Sequence, residues 1–265
     1  MSDKVREYIQ ELDEGVKSLC ESQRWKDWLN FLSAFHAYSP TNQIAIFLQR
    51  PDATMVASYT NWKKLNRIPR RGEKGIRIIA PHIYQLQRED GSTEERVGFH
   101  ITHCFDVSQT YGDELPASPC NAVDREVVDA QTAIDRLCRI SPVPVSFEDT
   151  GSAANGYFDD TAHRIVVKPT LSDAMKIRCL LHEITHAHVE TSPDKPKDRH
   201  TSEVIAESVS YVCCKMMSLD TADYSFGYIA NWSADHQLNE IKDSMDIISK
   251  TVNRIIGDMQ KLTSA

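Results

Sequence analysis

Apolar residues recur every three to four positions near the start of the chain: Val5, Ile9, Leu12, Val16 and Leu19, then Trp25, Trp28, Leu29 and Leu32. That spacing gathers them on one helical face, so residues 2–34 read as helical. Ser39-Pro40 starts a further helix that should run to about Gln49, because Pro suits the first helical position. The period then shortens. A strand is expected at Thr54–Ala57, a short helix at Thr60–Leu65, and a strand at Gly75–Pro81 that Ile83–Gln87 continues. Glu89–Ser92 reads as a turn leading into a strand over Val97–Val107.

Tyr111–Asn121, with Gly112, Pro116, Ser118 and Pro119, has the composition of a linker. Beyond it Val123, Val127, Ala130, Ile134 and Leu137 mark an amphipathic helix. Pro144–Phe147, Gly156–Phe158 and Arg164–Val167 read as short strands, the last two as a hairpin about Asp159–Ala162. Helices follow at about Ser172–Glu190, Thr201–Met217 and Ala234–Leu262. The chain of 265 residues therefore divides into an α+β domain over 1–115 and a mainly helical domain with a small sheet over 122–265, α+β as a whole.

Composition narrows the class. Trp28–Gln49 lacks Asp, Glu, Lys and Arg, but His36, Ser39, Pro40, Thr41, Asn42 and Gln43 interrupt it, so no membrane span is expected. The first residues mix charges and lack the apolar core of a secretory signal. Seven cysteines without CxxC spacing fit a reducing cytoplasm. The formal charge is −8, which argues against a protein basic over its whole surface. That charge is uneven: residues 1–115 sum to −1, and within them Lys63, Lys64, Arg67, Arg70, Arg71, Lys74 and Arg77 face the single acid Glu73. Trp62, Trp25, Trp28, Phe35 and Tyr38 lie near in sequence. Cations beside aromatic rings suit a single-stranded nucleic acid; a solvated basic loop with the tryptophans in the core is the alternative.

The second half carries Cys179-Leu-Leu-His182-Glu183-Ile-Thr-His186, an HExxH run inside a helical pattern. Four residues advance a helix by about one turn, ~6 Å, so His182 and His186 share a face and can share Zn²⁺. Glu183 beside them is placed to act as general base for a water. His188, two positions past His186, points elsewhere and reads as a surface or supporting histidine. On the next helix Glu203 and Glu207 stand one turn apart; they are either part of the site or an exposed acidic face. Tyr211, His200 and His236 are candidates for an oxyanion donor. Arg164–Val167 reads as an edge strand for an extended substrate or as a core strand.

Around the HExxH run the sequence resembles the gluzincin metallopeptidases. The resemblance implies Glu203 as third metal ligand and Glu207 as partner of a ligand histidine, with the two carboxylates able to exchange roles. A second resemblance spans nearly the whole chain. Phe35-His-x-Tyr-Ser39-x-x-Asn42, Gln49-x-Pro51-x-Ala53, Trp62, Arg71-Gly-Glu-Lys-Gly-Ile76, Ala80-Pro81 and Phe105–Thr110 resemble the N-terminal domain of ArdC-type antirestriction proteins, the LtrC-like members above all. It continues through Gly156-Tyr-Phe, the HExxH run, Glu203–Tyr211 and Ser225–Trp232. It implies a single-stranded-DNA-binding domain, with Tyr38, Asn42, Trp62, Lys63, Lys64, Arg67, Arg70, Arg71 and Lys74 as contacts. A zincin-like metallopeptidase domain follows, with a protein or peptide substrate. The second half also resembles the ImmA/IrrE group, which acts on repressors; a DNA-shielding protein with a silent zinc site is a further alternative.

Overall fold

A computed structural model describes residues 2–35, 37–87, 93–115, 129–151, 153–192, 195–196, 198–219, 224, 226–227 and 229–263. The elements are α1 (Asp3–Leu19), α2 (Ser22–Phe35), α3 (Pro40–Gln49), β1 (Val56–Ser58), α4 (Tyr59–Lys64), β2 (Arg67–Pro69), β3 (Ile76–Gln87), β4 (Thr93–Asp106), a 3₁₀ turn (Val107–Gln109) and β5 (Thr110–Gly112). They continue with α5 (Ala130–Ile140), β6 (Val145–Phe147), β7 (Gly156–Asp159), β8 (Arg164–Val167), α6 (Asp173–Glu190), α7 (Arg199–Met216), α8 (Ile229–Ala234) and α9 (Leu238–Thr263). The mixture is α+β. The expected turn at 89–92, the linker from Pro116 to Asn121, and Val123 and Val127 lie outside the described residues.

Two compact units form: Met1–Leu19 with Tyr38–Pro116, and Cys20–Ala37 with Ala117–Ala265. Helix α2, expected in the first domain, instead belongs to the second unit. Its apolar stripe is buried there: Trp25 Nε1 donates to Ser208 Oγ on α7 at 3.2 Å, and its ring meets Trp232 of α8 edge-on at 5.7 Å. Periodicity shows that a face must be covered, not which segment covers it.

In the first unit β3 and β4 form one long antiparallel ribbon, from Ile76↔Cys104 to Gln87↔Thr93, and β1 adds to β4. The base of the ribbon is core; residues 81–87 are exposed on both faces. The free edge of β3 is covered by side chains from α3. Asn42 donates to the Ile79 carbonyl at 2.8 Å and accepts from the Ile79 amide at 2.9 Å, while Gln49 does the same for Arg77 at 2.9 and 3.0 Å. Seven residues apart, these two amides share a helix face and stand in for a missing strand, satisfying backbone groups that would otherwise lose their partners. Asp106 opens the 3₁₀ turn with a capping box and also accepts from the amides of Thr54 and Met55.

In the second unit the sheet runs β6-β8-β7, with β6 parallel and β7 antiparallel to β8. Central β8 is buried at Ile165, Val166 and Val167, so it is the core strand, and β7 is an edge. Helices α6 and α7 pack closely together, each opened by a cap: Ser172 Oγ accepts from the Met175 amide, Asp198 from the Thr201 amide.

Candidate metal centre and nucleic-acid face

The α6–α7 pairing brings His182, His186 and Glu203 together, one donor atom from each within 4.8 Å of the others. His182 Nε2 and His186 Nε2 are 3.1 Å apart, and Glu203 Oε2 lies 3.3 and 3.7 Å from them. Ligand atoms of a tetrahedral ion with ~2.0–2.1 Å bonds stand about 3.3 Å apart, so the triangle fits one small cation. The remaining ring nitrogens are engaged from behind. His182 Nδ1 faces Glu207 Oε2 at 3.5 Å, and His186 Nδ1 faces Ser202 Oγ at 3.1 Å. Both partners hold the rings with Nε2 turned toward the shared point. Glu203 thus stands on the Nε2 side and Glu207 on the Nδ1 side. Glu207 is itself anchored by Arg178 at 2.9 Å, and that guanidinium lies over the Tyr224 ring at 3.8 Å.

Charge follows this geometry. Burial alone would lower the His182 pKa, but hydrogen bonds to Glu203 and Glu207 overcome it and lift it to about 9. Bonding to both histidines holds the Glu203 carboxyl far below the usual carboxylate range. Glu183 lies beside the triangle, 8% exposed, with its pKa raised by burial; its Oε2 accepts the Phe158 amide of edge strand β7 at 2.9 Å. A cavity of about 430 Å³ opens here, lined by Asn155, Gly156, Cys179, His182 and Glu183 among others. A Cβ at Gly156 would lie 2.4 Å from Cys179 Sγ and 2.7 Å from the Val166 carbonyl, so glycine lets β7 approach α6 this closely.

Other candidates lie elsewhere. Tyr211 is buried with its hydroxyl donated to Asn30 at 2.7 Å and does not line the cavity. His236 is engaged by Thr201, Asp198 and the Trp232 carbonyl. His188 is buried rather than on the surface; burial, with Arg254 nearby, pushes its pKa down to about 4. Ser202, Arg178 and the Phe158 amide were not singled out from sequence. Only Ser202, next to Glu203, carried a local signal.

The basic segment of the first unit divides by burial. Trp62 is fully buried, its Nε1 donating to the Phe105 carbonyl at 2.8 Å, so it is core rather than a stacking face. Trp25, Trp28 and Phe35 are buried in the second unit. Tyr38 donates to the Val56 carbonyl at 2.6 Å, and Asn42 serves β3 as described, so both act within the fold. Arg67 binds Thr110 and the Gly112 and Asp113 carbonyls, and Arg70 binds the Ser108 and Thr110 carbonyls at 2.6 and 3.2 Å; together they pin β2 to β5. Lys63, Lys64, Arg71 and Lys74 are exposed and show no ion pair among the described residues. No helix among those residues is long and apolar enough to cross a membrane.

Residues 3–106 match the model of the N-terminal domain of anti-restriction factor ArdC. An uncharacterized protein of Bacillus anthracis is 24% identical over 279 residues, covering 89% of this chain but 47% of that protein, so the chain spans about half of this curated relative. Crystal structures of antirestriction ArdC protein from the R388 plasmid are similar at 18% identity. The metal-free one has a TM-score of 0.57, covering 84% of this chain and 86% of that one. The Mn(II)-bound one has a TM-score of 0.53, covering 84% and 85%. Residues 3–106 are therefore similar to the N-terminal domain of ArdC, and the fold over most of the chain's length is similar to that of ArdC.

Proposed function

We propose that the chain is an antirestriction-type protein of a mobile element that binds single-stranded DNA and carries a zinc metallopeptidase centre. The observation that carries the enzymatic half is the triangle of His182 Nε2, His186 Nε2 and Glu203 Oε2, with Glu183 beside it. The Mn(II)-bound ArdC of the R388 plasmid supports a metal at this fold; two imidazoles and one carboxylate with a fourth position open suit zinc. Zinc, when bound, supplies Lewis acidity that lowers the pKa of a coordinated water toward ~7. Glu183, made a stronger base by burial, takes the proton from the attacking water and passes it to the leaving amine. Glu207 and Ser202 orient the two imidazoles. The outer edge of β7, the edge strand of its sheet, accepts an extended peptide, whose scissile bond then lies over Glu183.

Metal analysis of the purified protein tests the site: His182→Ala or Glu203→Ala should lose the ion. Glu183→Gln should retain it and lose about 100-fold or more of peptide cleavage. Undiminished cleavage by that variant overturns the assignment. Antirestriction that survives Glu183→Gln would instead make DNA shielding the whole function.

A further inference from the structure

The buried tryptophans leave the basic segment without the rings that single-strand binding calls for, and the fold supplies others. Tyr59 and Tyr111 are 52% and 55% exposed. Tyr59 lies on α4 one turn before Lys63, so ring and ammonium share a helix face. Tyr111 lies on β5 opposite Ile68 of β2, and β2 packs on α4. Arg67 and Arg70 spend their guanidinium groups fixing β5 to β2, which holds Tyr111 in place. Buried Trp62 does the same for α4 from beneath. Lys63, Lys64, Arg71 and Lys74 supply positive charge on the same α4–β2–β5 block. Of its acids, Glu73 is engaged by Arg70 at 3.6 Å and Gln109 at 3.0 Å, and Asp113, just past β5 and followed by Glu114, accepts from Asn66 at 3.0 Å.

From this we infer that Tyr59 and Tyr111 are the base-stacking residues of the single-strand contact, with Lys63, Lys64, Arg71 and Lys74 on the phosphates. The inference rests on the DNA-binding half of the reading above. The rival surface is the outer β3–β4 ribbon, which also exposes Tyr84 and Phe99. On that ribbon Tyr84 stands opposite Arg96, whose charge Glu94 takes up at 3.3 Å, and Phe99 stands opposite Pro81. Lys63, Lys64, Arg71 and Lys74 show no ion pair among the described residues, so free positive charge selects the α4–β2–β5 face.

The test measures full-length protein on oligothymidylate of roughly 16 nucleotides and on an abasic strand of equal length. Tyr59→Ala and Tyr111→Ala should each weaken oligothymidylate binding by about 5- to 100-fold with the salt slope unchanged. On the abasic strand wild type and variants should bind alike. Tyr59→Trp should restore binding, and its added fluorescence should be quenched by the strand. Alanine at Lys63 and Lys64 should instead flatten the salt slope by roughly 0.7 per lost phosphate contact. Tyr84→Ala and Phe99→Ala serve as controls that bind like wild type. Wild-type affinity in the Tyr59 and Tyr111 variants, or an equal loss on the abasic strand, overturns the inference while leaving DNA binding intact. Failure of the wild-type protein to bind either strand overturns the DNA reading itself, and this inference with it.

Discussion

At the scale of single residues, the candidate metal centre depends on how each imidazole is held from behind. A carboxylate at His182 Nδ1 raises the ring's basicity and fixes its orientation, whereas the hydroxyl at His186 Nδ1 fixes orientation with less charge. The two partners should therefore contribute unequally. Glu207→Ala is expected to weaken metal affinity by about 10- to 100-fold, and Ser202→Ala by less. Competition with a chromophoric chelator measures both. His188→Gln should leave affinity and stoichiometry unchanged, because that ring faces Arg254 and Asp258 instead. A larger loss from Ser202→Ala than from Glu207→Ala would refute this ordering. What sequence reveals at this scale follows separation along the chain. His182, Glu183 and His186 are legible because one helical turn brings them together. The Phe158 amide on Glu183 is not, since a strand 25 positions away supplies it. Trp62 misled for a different reason. Its neighbours are cations, but its indole points into the core, and composition does not record direction.

Among elements, α7 matters most, since it presents both Glu203 and Glu207. Its first turn is held by Asp198, which accepts from the Thr201 amide at 2.8 Å and from the Thr201 hydroxyl at 2.6 Å, with His236 beside it. Partial burial opposes ionisation of Asp198, yet these hydrogen bonds win and hold its pKa at about 2, below the ordinary 3.8. A depressed carboxyl pKa stabilises the fold above the unfolded value and loses that stabilisation as pH falls toward the folded one. Asp198→Ala should therefore cost about 1 kcal/mol at neutral pH. Charging of His236 beside Asp198 should widen the gap from wild type somewhat as pH falls through the histidine range; it should then hold steady to about pH 4 and close between there and about pH 2. Chemical denaturation at several pH values measures it; a gap that widens below about pH 4 contradicts the cap. Longer helices were readable from their period, and β3 and β4 from their apolar runs. β2, β5 and α8 were not; with 3, 3 and 6 residues they are too short to set a period, but length alone does not decide it, since β1, β6 and α4 are as short and were expected. Nor could the sequence show that Asn42 and Gln49 cover a strand edge: an amide side chain reads alike in that role and on a surface.

For the whole molecule, the division of the chain decides both charge and stability. The net −8 averages a nearly neutral first unit, with a basic segment, and an acidic second unit, so overall charge says little about which partner binds where. The break in sequence near residue 116 is likewise not the whole boundary, since Cys20–Ala37 belongs to the second unit. Residues 1–116 alone would carry α2 with Trp25, Trp28, Leu29 and Leu32 stripped of their cover, an apolar stripe large enough to drive self-association. Residues 117–265 alone would lack the indole that bonds Ser208 and meets Trp232. Burial of large side chains is worth about 1.5–3 kcal/mol each, and a domain's total stability is only about 5–15 kcal/mol, so losing the whole α2 stripe should leave that fragment without a cooperative fold. A synthetic peptide of residues 20–37 added to the 117–265 fragment should restore a sharp thermal transition in a concentration-dependent way. The same peptide carrying Trp25→Ala and Trp28→Ala should fail to do so. Cooperative unfolding of 117–265 without any peptide, at the temperature of the intact chain, would show that α2 is dispensable to the second unit and that the boundary lies in the 116–121 segment after all.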